Sequence, residues 1–131
     1  GNADVLGRIY AEDGVYAVGE VGRFEGRTAV QSLTTMPQVA ELMAAGAGHV
    51  ATVPYVAIDG DRAVATGHGM VVIRADDGFS VSRLSAMRYE LERQADGEWR
   101  IALRTIHLLD GNPSARALLG RLTDVSEAVA A

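Results

Sequence analysis

The 131-residue chain contains no cysteine, which excludes disulfides, thiol nucleophiles, cysteine-ligated zinc and iron–sulfur clusters. It contains no lysine either, so arginine supplies all 12 basic residues. Schiff-base catalysis, attachment of pyridoxal phosphate and the lysine of a phosphate-binding loop are thereby excluded. No apolar run approaches the length needed to cross a bilayer. No basic segment followed by an apolar stretch marks a secretion signal. Nothing requires an oxidising compartment, so the cytoplasm is the expected location. Basic charge is also short: 17 acidic residues leave a formal net charge of −5. Phosphate backbones call for a basic surface, so neither nucleic acid nor a membrane is expected as a partner.

Hydrophobic residues make up 48% and charged residues 22%, a composition that folds around a core rather than staying disordered. The length suits one domain, residues 1–131, without repeats or linkers. Asp-Gly turns punctuate the second half, at Asp59-Gly60-Asp61, Asp76-Asp77-Gly78 and Asp96-Gly97. Such pairs favour the positive-φ turns that join antiparallel strands. Between them lie four strand-like runs rich in Val, Ile, Thr and aromatics: His49–Ile58, Arg62–Arg74, Phe79–Arg93 and Glu98–Leu109. They read as an antiparallel meander, joined by a shorter pair at Gly14–Val18 and Gly22–Glu25. Helices are expected at Asp4–Ala11, at Arg27–Leu33, from a Thr35-Met36-Pro37-Gln38 capping box to about Ala45, and after Asn112-Pro113. Leu118, Leu119, Leu122 and Val125 give the last helix an apolar stripe that Gly120 weakens. Long antiparallel strands twist, and a twisted sheet with helices on one face curls into a cup with room for a pocket. The fold class is therefore α+β.

The order of short motifs resembles SnoaL-like proteins of the nuclear-transport-factor-2-like superfamily. Tyr10-Ala11-Glu12-Asp13-Gly14-Val15-Tyr16 and Phe24-Glu25-Gly26-Arg27-Thr28-Ala29-Val30 are similar to the family's opening. Gly48-His49-Val50, Asp59-Gly60-Asp61-Arg62-Ala63, Asp96-Gly97-Glu98-Trp99-Arg100-Ile101 and Leu109-Asp110-Gly111 continue it, from about Val5 to Leu119. The resemblance implies a strongly curved antiparallel sheet forming a cone around helices, with a central pocket. It also implies small hydrophobic ligands and a homodimer, here expected through the outer sheet face. Members include polyketide cyclases, dehydratases, ketosteroid isomerases and epoxide hydrolases, so the fold alone does not fix the activity. The family's long first helix has little room before Tyr10 and is expected to be short or missing.

His49 and His68 are the leading candidates for chemistry, because imidazole both gives and takes a proton near neutral pH. They are expected to approach each other across neighbouring strands. Scytalone dehydratases, members of the same superfamily, place two histidines at similar strand positions to hold a catalytic water. Ser85 matches a serine of their third strand, while Met87 stands where they carry asparagine. Strand alternation puts Phe79, Val81, Arg83, Ser85, Met87, Tyr89 and Leu91 on one face. Catalytic roles thus fall to His49, His68 and Ser85; ligand contacts fall to Tyr16, Tyr55, Met70, Arg83 and Met87. Arg83, Arg88 and Arg104 can each meet a ligand carboxylate or a structural acid such as Glu90 or Glu92; Arg83 is favoured for the ligand, Arg88 and Arg104 for structural ion pairs. His107 is placed on the Trp99, Ile101 and Leu103 side of its strand, and Asp13 in a turn. Two histidines on neighbouring strands are more often hydrogen-bonded wall residues than a catalytic pair. Without a placed carboxylate they fall short of a metal site. No cofactor is required. The expected activity is a cofactor-independent dehydratase, cyclase or isomerase acting on a hydrophobic oxygenated molecule. The alternative is a non-catalytic ligand-binding or dimerisation module.

Overall fold

The computed structural model describes residues 2–19 and 22–125. Helix α1 (Ala3–Ile9) is followed by strands β1 (Tyr10–Val18) and β2 (Gly22–Glu25). Helix α2 (Arg27–Ser32), a 3-10 turn (Leu33–Thr35) and α3 (Pro37–Ala44) come next. Strands β3 (Gly48–Ala51), β4 (Tyr55–Asp59), β5 (Arg62–Ala75), β6 (Gly78–Arg93) and β7 (Trp99–Leu108) precede the helix α4 (Pro113–Gly120). The strands form one curved, unclosed sheet in the order β2-β1-β7-β6-β5-β3, with β4 sharing the β5 edge with β3. All pairings are antiparallel except β1 with β7, which is parallel.

The hairpins close as the Asp-Gly turns predict. Asp59 pairs with Arg62, and Gly60 at the turn has φ +58°, where a Cβ would be strained. The meander nevertheless contains one strand more than expected, because His49–Ile58 is interrupted. Pro54 offers no backbone donor and restricts the residue before it. Around it the Thr52 side chain replaces a strand contact: its Oγ1 accepts from the His68 backbone N–H at 3.0 Å, while the Thr52 N–H donates to the His68 carbonyl at 3.0 Å.

The helices also depart from expectation: the last ends at Gly120, short of Leu122 and Val125, and two others differ. The first ends at Ile9 because Tyr10 and Ala11 are buried in β1, which places Asp13 within an exposed stretch of that strand. Asn2 caps α1 by accepting from the backbone N–H groups of Asp4 and Val5. The expected capping box of α3 does not form. Met36 occupies the cap position with no side-chain bond, and the Thr35 hydroxyl donates to the Ser32 carbonyl instead. Asn112 caps α4 as expected, accepting from the Ser114 N–H at 2.9 Å.

Register divides the sheet into two faces, since directly paired residues share a side. On the inner face Tyr10 and Ile101 pack with Val30 of α2, and Leu6, Leu33, Tyr16, Tyr89 and Leu91 close around them. Burying each such side chain contributes about 1.5–3 kcal/mol. These contacts hold helices too short to persist alone. On the outer face Ala86 packs against Ala115 and Leu118 of α4, and Val64 packs against Val125. Arg88 fastens that segment to the sheet: it donates to the carbonyls of Arg121 and Asp124 and pairs with Glu90 at 3.2 Å, with its own side chain fully buried. Arg88 is therefore a structural ion-pair residue, as the sequence suggested.

Two bulges correct the strand faces. Val71 pairs with Arg83 but Val72 with Val81, so Ser82 is an extra residue in β6. Phe79 and Val81 consequently lie on the outer face, opposite to Arg83, Ser85, Met87 and Tyr89. In β7, Ala102 is extra, since Glu90 pairs with Leu103 and Leu91 with Ile101. Leu103 and His107 thus lie on the outer face, while Ile101 lies on the inner one.

Candidate functional site

A cavity of about 280 Å³ opens on the inner face of the sheet. Its wall comes from Tyr16 of β1, His49 of β3, Val71 of β5, Arg83, Ser85, Met87 and Tyr89 of β6, and Arg104 and Ile106 of β7. Alternation along β6 and β7 turns these side chains to one side: Ser85 pairs with Leu108, Met87 with Ile106 and Tyr89 with Arg104. Space exists because β5 presents Gly69 opposite Ser85. A Cβ on Gly69 would come within 2.5 Å of the Met87 sulfur, so the glycine lets Met87 lie across the strand.

Of the residues singled out from sequence, His49, Ser85, Arg83, Met87, Tyr16 and Met70 all border the cavity. Three do not turn their side chains to its inner-face wall, the first being Met70, which pairs with Val50 and Leu84 on the outer face. His68 pairs with Ala86 and Tyr55 with Thr66, positions whose side chains belong to the outer face. His49 pairs with Val71, three residues from His68, and so takes the opposite side. The expected His49–His68 pair is therefore not assembled. The cause is the irregular stretch at Thr52–Pro54. β4 runs in the register Tyr55 to Thr66, and continuing it would set His49 opposite Val72. The observed partner is Val71, and a one-residue slip moves a side chain to the other face.

Tyr89 lines the cavity on the face that strand alternation gives it, whereas Arg104 is a cavity residue that the sequence reading places elsewhere. Arg104 was assigned to an ion pair with an acid, but it has none among the described residues. Its guanidinium carbon stands 4.7 Å from the Tyr16 ring centre and 5.2 Å from that of Tyr89. Its Nη2 reaches the Met87 sulfur at 3.8 Å, and the Tyr89 hydroxyl donates to the same sulfur at 3.7 Å. The signal available in the sequence was the strand register itself, which sets an arginine beside tyrosines on one face.

The electrostatics follow from this arrangement. Burial lowers the Arg104 pKa, but Tyr16, Tyr89 and Tyr10 around it more than compensate and leave it raised. The Tyr10 phenol is pushed up to about 12, by burial first, against a smaller opposing pull from Arg104. The two groups influence each other, yet Tyr10 Oη and Arg104 Nε each lack a hydrogen-bond partner of good geometry. The His49 imidazole is held below its ordinary pKa by partial burial, then by the positive charges of Arg83 and Arg104. It is neutral at pH 7 and has a free lone pair for a proton. Among the described residues no cluster of three or more histidines, aspartates and glutamates is placed to hold a metal ion.

The SnoaL-like domain family matches residues 1–105. Among solved structures, an NTF2-like protein with a cystatin-like fold from Novosphingobium aromaticivorans is 37% identical, with a TM-score of 0.85 over 89% of this chain and 75% of that one. A protein of unknown function from Mycobacterium tuberculosis is 23% identical, with a TM-score of 0.68 over 92% of this chain and 74% of that one. A Catenulispora acidiphila protein in complex with S-DNPA is 22% identical, with a TM-score of 0.68 over 82% and 79%. The last two establish likeness of fold alone. No curated protein matches the chain. With most of its length matched by the family and 37% identity to a solved NTF2-like protein over 89% of the chain, the chain belongs to the SnoaL-like family of the NTF2-like superfamily.

Proposed function

We propose that the protein binds a flat, largely apolar, oxygenated molecule on the inner face of the sheet and moves a proton on it through His49, without a cofactor. The observation that carries this reading is the composition of the cavity wall. A neutral imidazole faces a space bounded by Met87, Ile106 and tyrosine rings, with the Ser85 hydroxyl available to orient an oxygen. Mostly apolar walls with a few convergent polar groups are typical of small-molecule sites. His49 takes a proton from a carbon next to a ligand carbonyl and returns it to that carbon or its vinylogous neighbour. No atom or electron is gained or lost.

The test uses 1-indanone as a flat ketone in heavy water, with deuterium entry beside the carbonyl followed by NMR. Wild-type protein is expected to accelerate exchange, and His49→Gln to lose about a hundredfold of that acceleration or more. His68→Ala is expected to leave it unchanged, because that residue belongs to the other face. The second reading, a non-catalytic binding module, draws its support from the isolation of His49 from His68. Indanone that binds without faster exchange, or equal exchange by His49→Gln, decides for it.

A further inference from the structure

The proposed function leaves Arg104 and Arg83 unused, and together they specify the ligand further. Arg104 is a half-buried cation on a strand, with no acid paired to it among the described residues. A guanidinium carries five N–H donors and accepts nothing. Among the described residues its side chain meets the Met87 sulfur, a weak acceptor, and the buried Tyr10 phenol, and Nε is left without a hydrogen bond of good geometry. The faces of Tyr16 and Tyr89 attract the charge, but aromatic rings leave the N–H groups unbonded. Buried polar groups are nearly always satisfied, and one that is not calls for an explanation. Arg83 borders the same cavity, exposed at its edge and likewise without an ion pair among the described residues. Asp110 lines an adjoining hollow with Arg83 but forms no ion pair with it. Among the described residues no aspartate or glutamate lines the cavity itself.

Resting on the reading of this cavity as the ligand site, we infer that its ligand is an ionised aromatic carboxylate, with Arg104 as the carboxylate-binding residue and Arg83 as a second, outer cation. A planar guanidinium is matched to a carboxylate, which can accept two parallel N–H bonds. The tyrosine rings that flank the guanidinium offer their remaining surface to the aromatic part of the same molecule. His49 lies on the same wall, so the carboxylate also fixes where the rest of the ligand meets the imidazole. The alternative use of Arg104 is a purely structural prop between tyrosine rings, which needs no anion.

Two isosteric probes separate these uses: 2-naphthoate and 2-naphthamide, titrated at pH 7 by calorimetry or NMR. The carboxylate is expected to bind at least about tenfold more tightly than the amide, the advantage of a charge-assisted pair. Arg104→Met should abolish that preference, while Arg104→Lys should retain part of it and Arg83→Gln should weaken it. Because the comparison of the two probes on wild-type protein needs no variant, a misfolded Arg104→Met does not spare the inference. Equal binding of naphthoate and naphthamide overturns the carboxylate assignment and leaves the cavity as a binding site for neutral molecules. Failure of both probes to bind overturns the assignment and the proposed function together.

Discussion

Tyr10 shows how a single side chain carries both packing and electrostatics. It is only 1% exposed, and burial disfavours its ionised form, so its phenol loses a proton near 12 rather than 10.0. A raised folded-state pKa means that the folded chain holds this proton more tightly than the unfolded one. The associated stability is complete below pH 10 and is lost as the pH climbs through about 12, a change of roughly 2–3 kcal/mol. Ultraviolet titration of the folded protein is therefore expected to show one of the four tyrosines ionising last, and Tyr10→Phe to remove that late step. A phenol that titrates near 10 in the intact protein contradicts the burial account. The neighbouring residue, Arg104, marks the limit of sequence reading at this scale. Arginine in a strand has many structural uses, and Arg88 does find its acid in Glu90. Nothing local in the sequence distinguishes the two. They differ because Arg88 pairs with Thr66 toward the outer face and Arg104 with Tyr89 toward the inner one.

At the scale of elements, turns and caps were legible because they depend on a few adjacent residues. Asp59-Gly60 and Asn112-Pro113 act through their own backbone chemistry, whatever surrounds them. Faces were less legible, because each bulge inverts every side chain beyond it. The Ser82 bulge sends Phe79 and Val81 outward, the Ala102 bulge separates Ile101 from Leu103, and the break at Pro54 delivers His49 to the cavity while His68 stays outside. Alternation read outward from Ser85 was correct as far as Arg83 and failed at the next rung. Gly69 tests how far the cavity depends on the close fit of β5 and β6. In Gly69→Ala the new Cβ meets the sulfur and terminal methyl of Met87 at 2.5 and 2.8 Å. The flexible end of Met87 yields before the backbone does, so the expected cost in stability is about 1–3 kcal/mol, typical of overpacking. The displaced side chain leaves Tyr89 and Arg104 and enters the cavity. Naphthoate affinity is expected to fall by more than the loss of stability alone would cause, measured by titration under conditions where circular dichroism shows the variant folded. Unchanged affinity contradicts this account of how the space is made.

For the whole molecule, the two faces of the sheet have different fates. The inner face is roofed in part by α1 and α2 and retains the cavity. Among the described residues, α4 and those through Val125 cover one half of the outer face, lying on Ala86, Arg88 and Val64. Over the other half, Val50, Leu84, Val81 and Phe79 remain exposed, Phe79 to 70%. The register places them along one side: Val50 beside Met70, Met70 beside Leu84, Val72 beside Val81 and Arg74 beside Phe79. A row of large apolar side chains on neighbouring strands is costly to leave in water and marks an association surface. We propose that a second copy of the chain covers it, in keeping with the homodimer that the family resemblance suggested. Light scattering at micromolar concentration is expected to give twice the mass of the chain. Leu84→Glu is expected to halve it without unfolding, because Leu84 already stands 42% exposed and no core packing is lost. Since the Leu84 side chain lies on the opposite face from the cavity wall, the same substitution should leave naphthoate affinity within about twofold of the wild type. A wild-type monomer, or a dimer indifferent to a charge at position 84, assigns the exposed row no role in self-association.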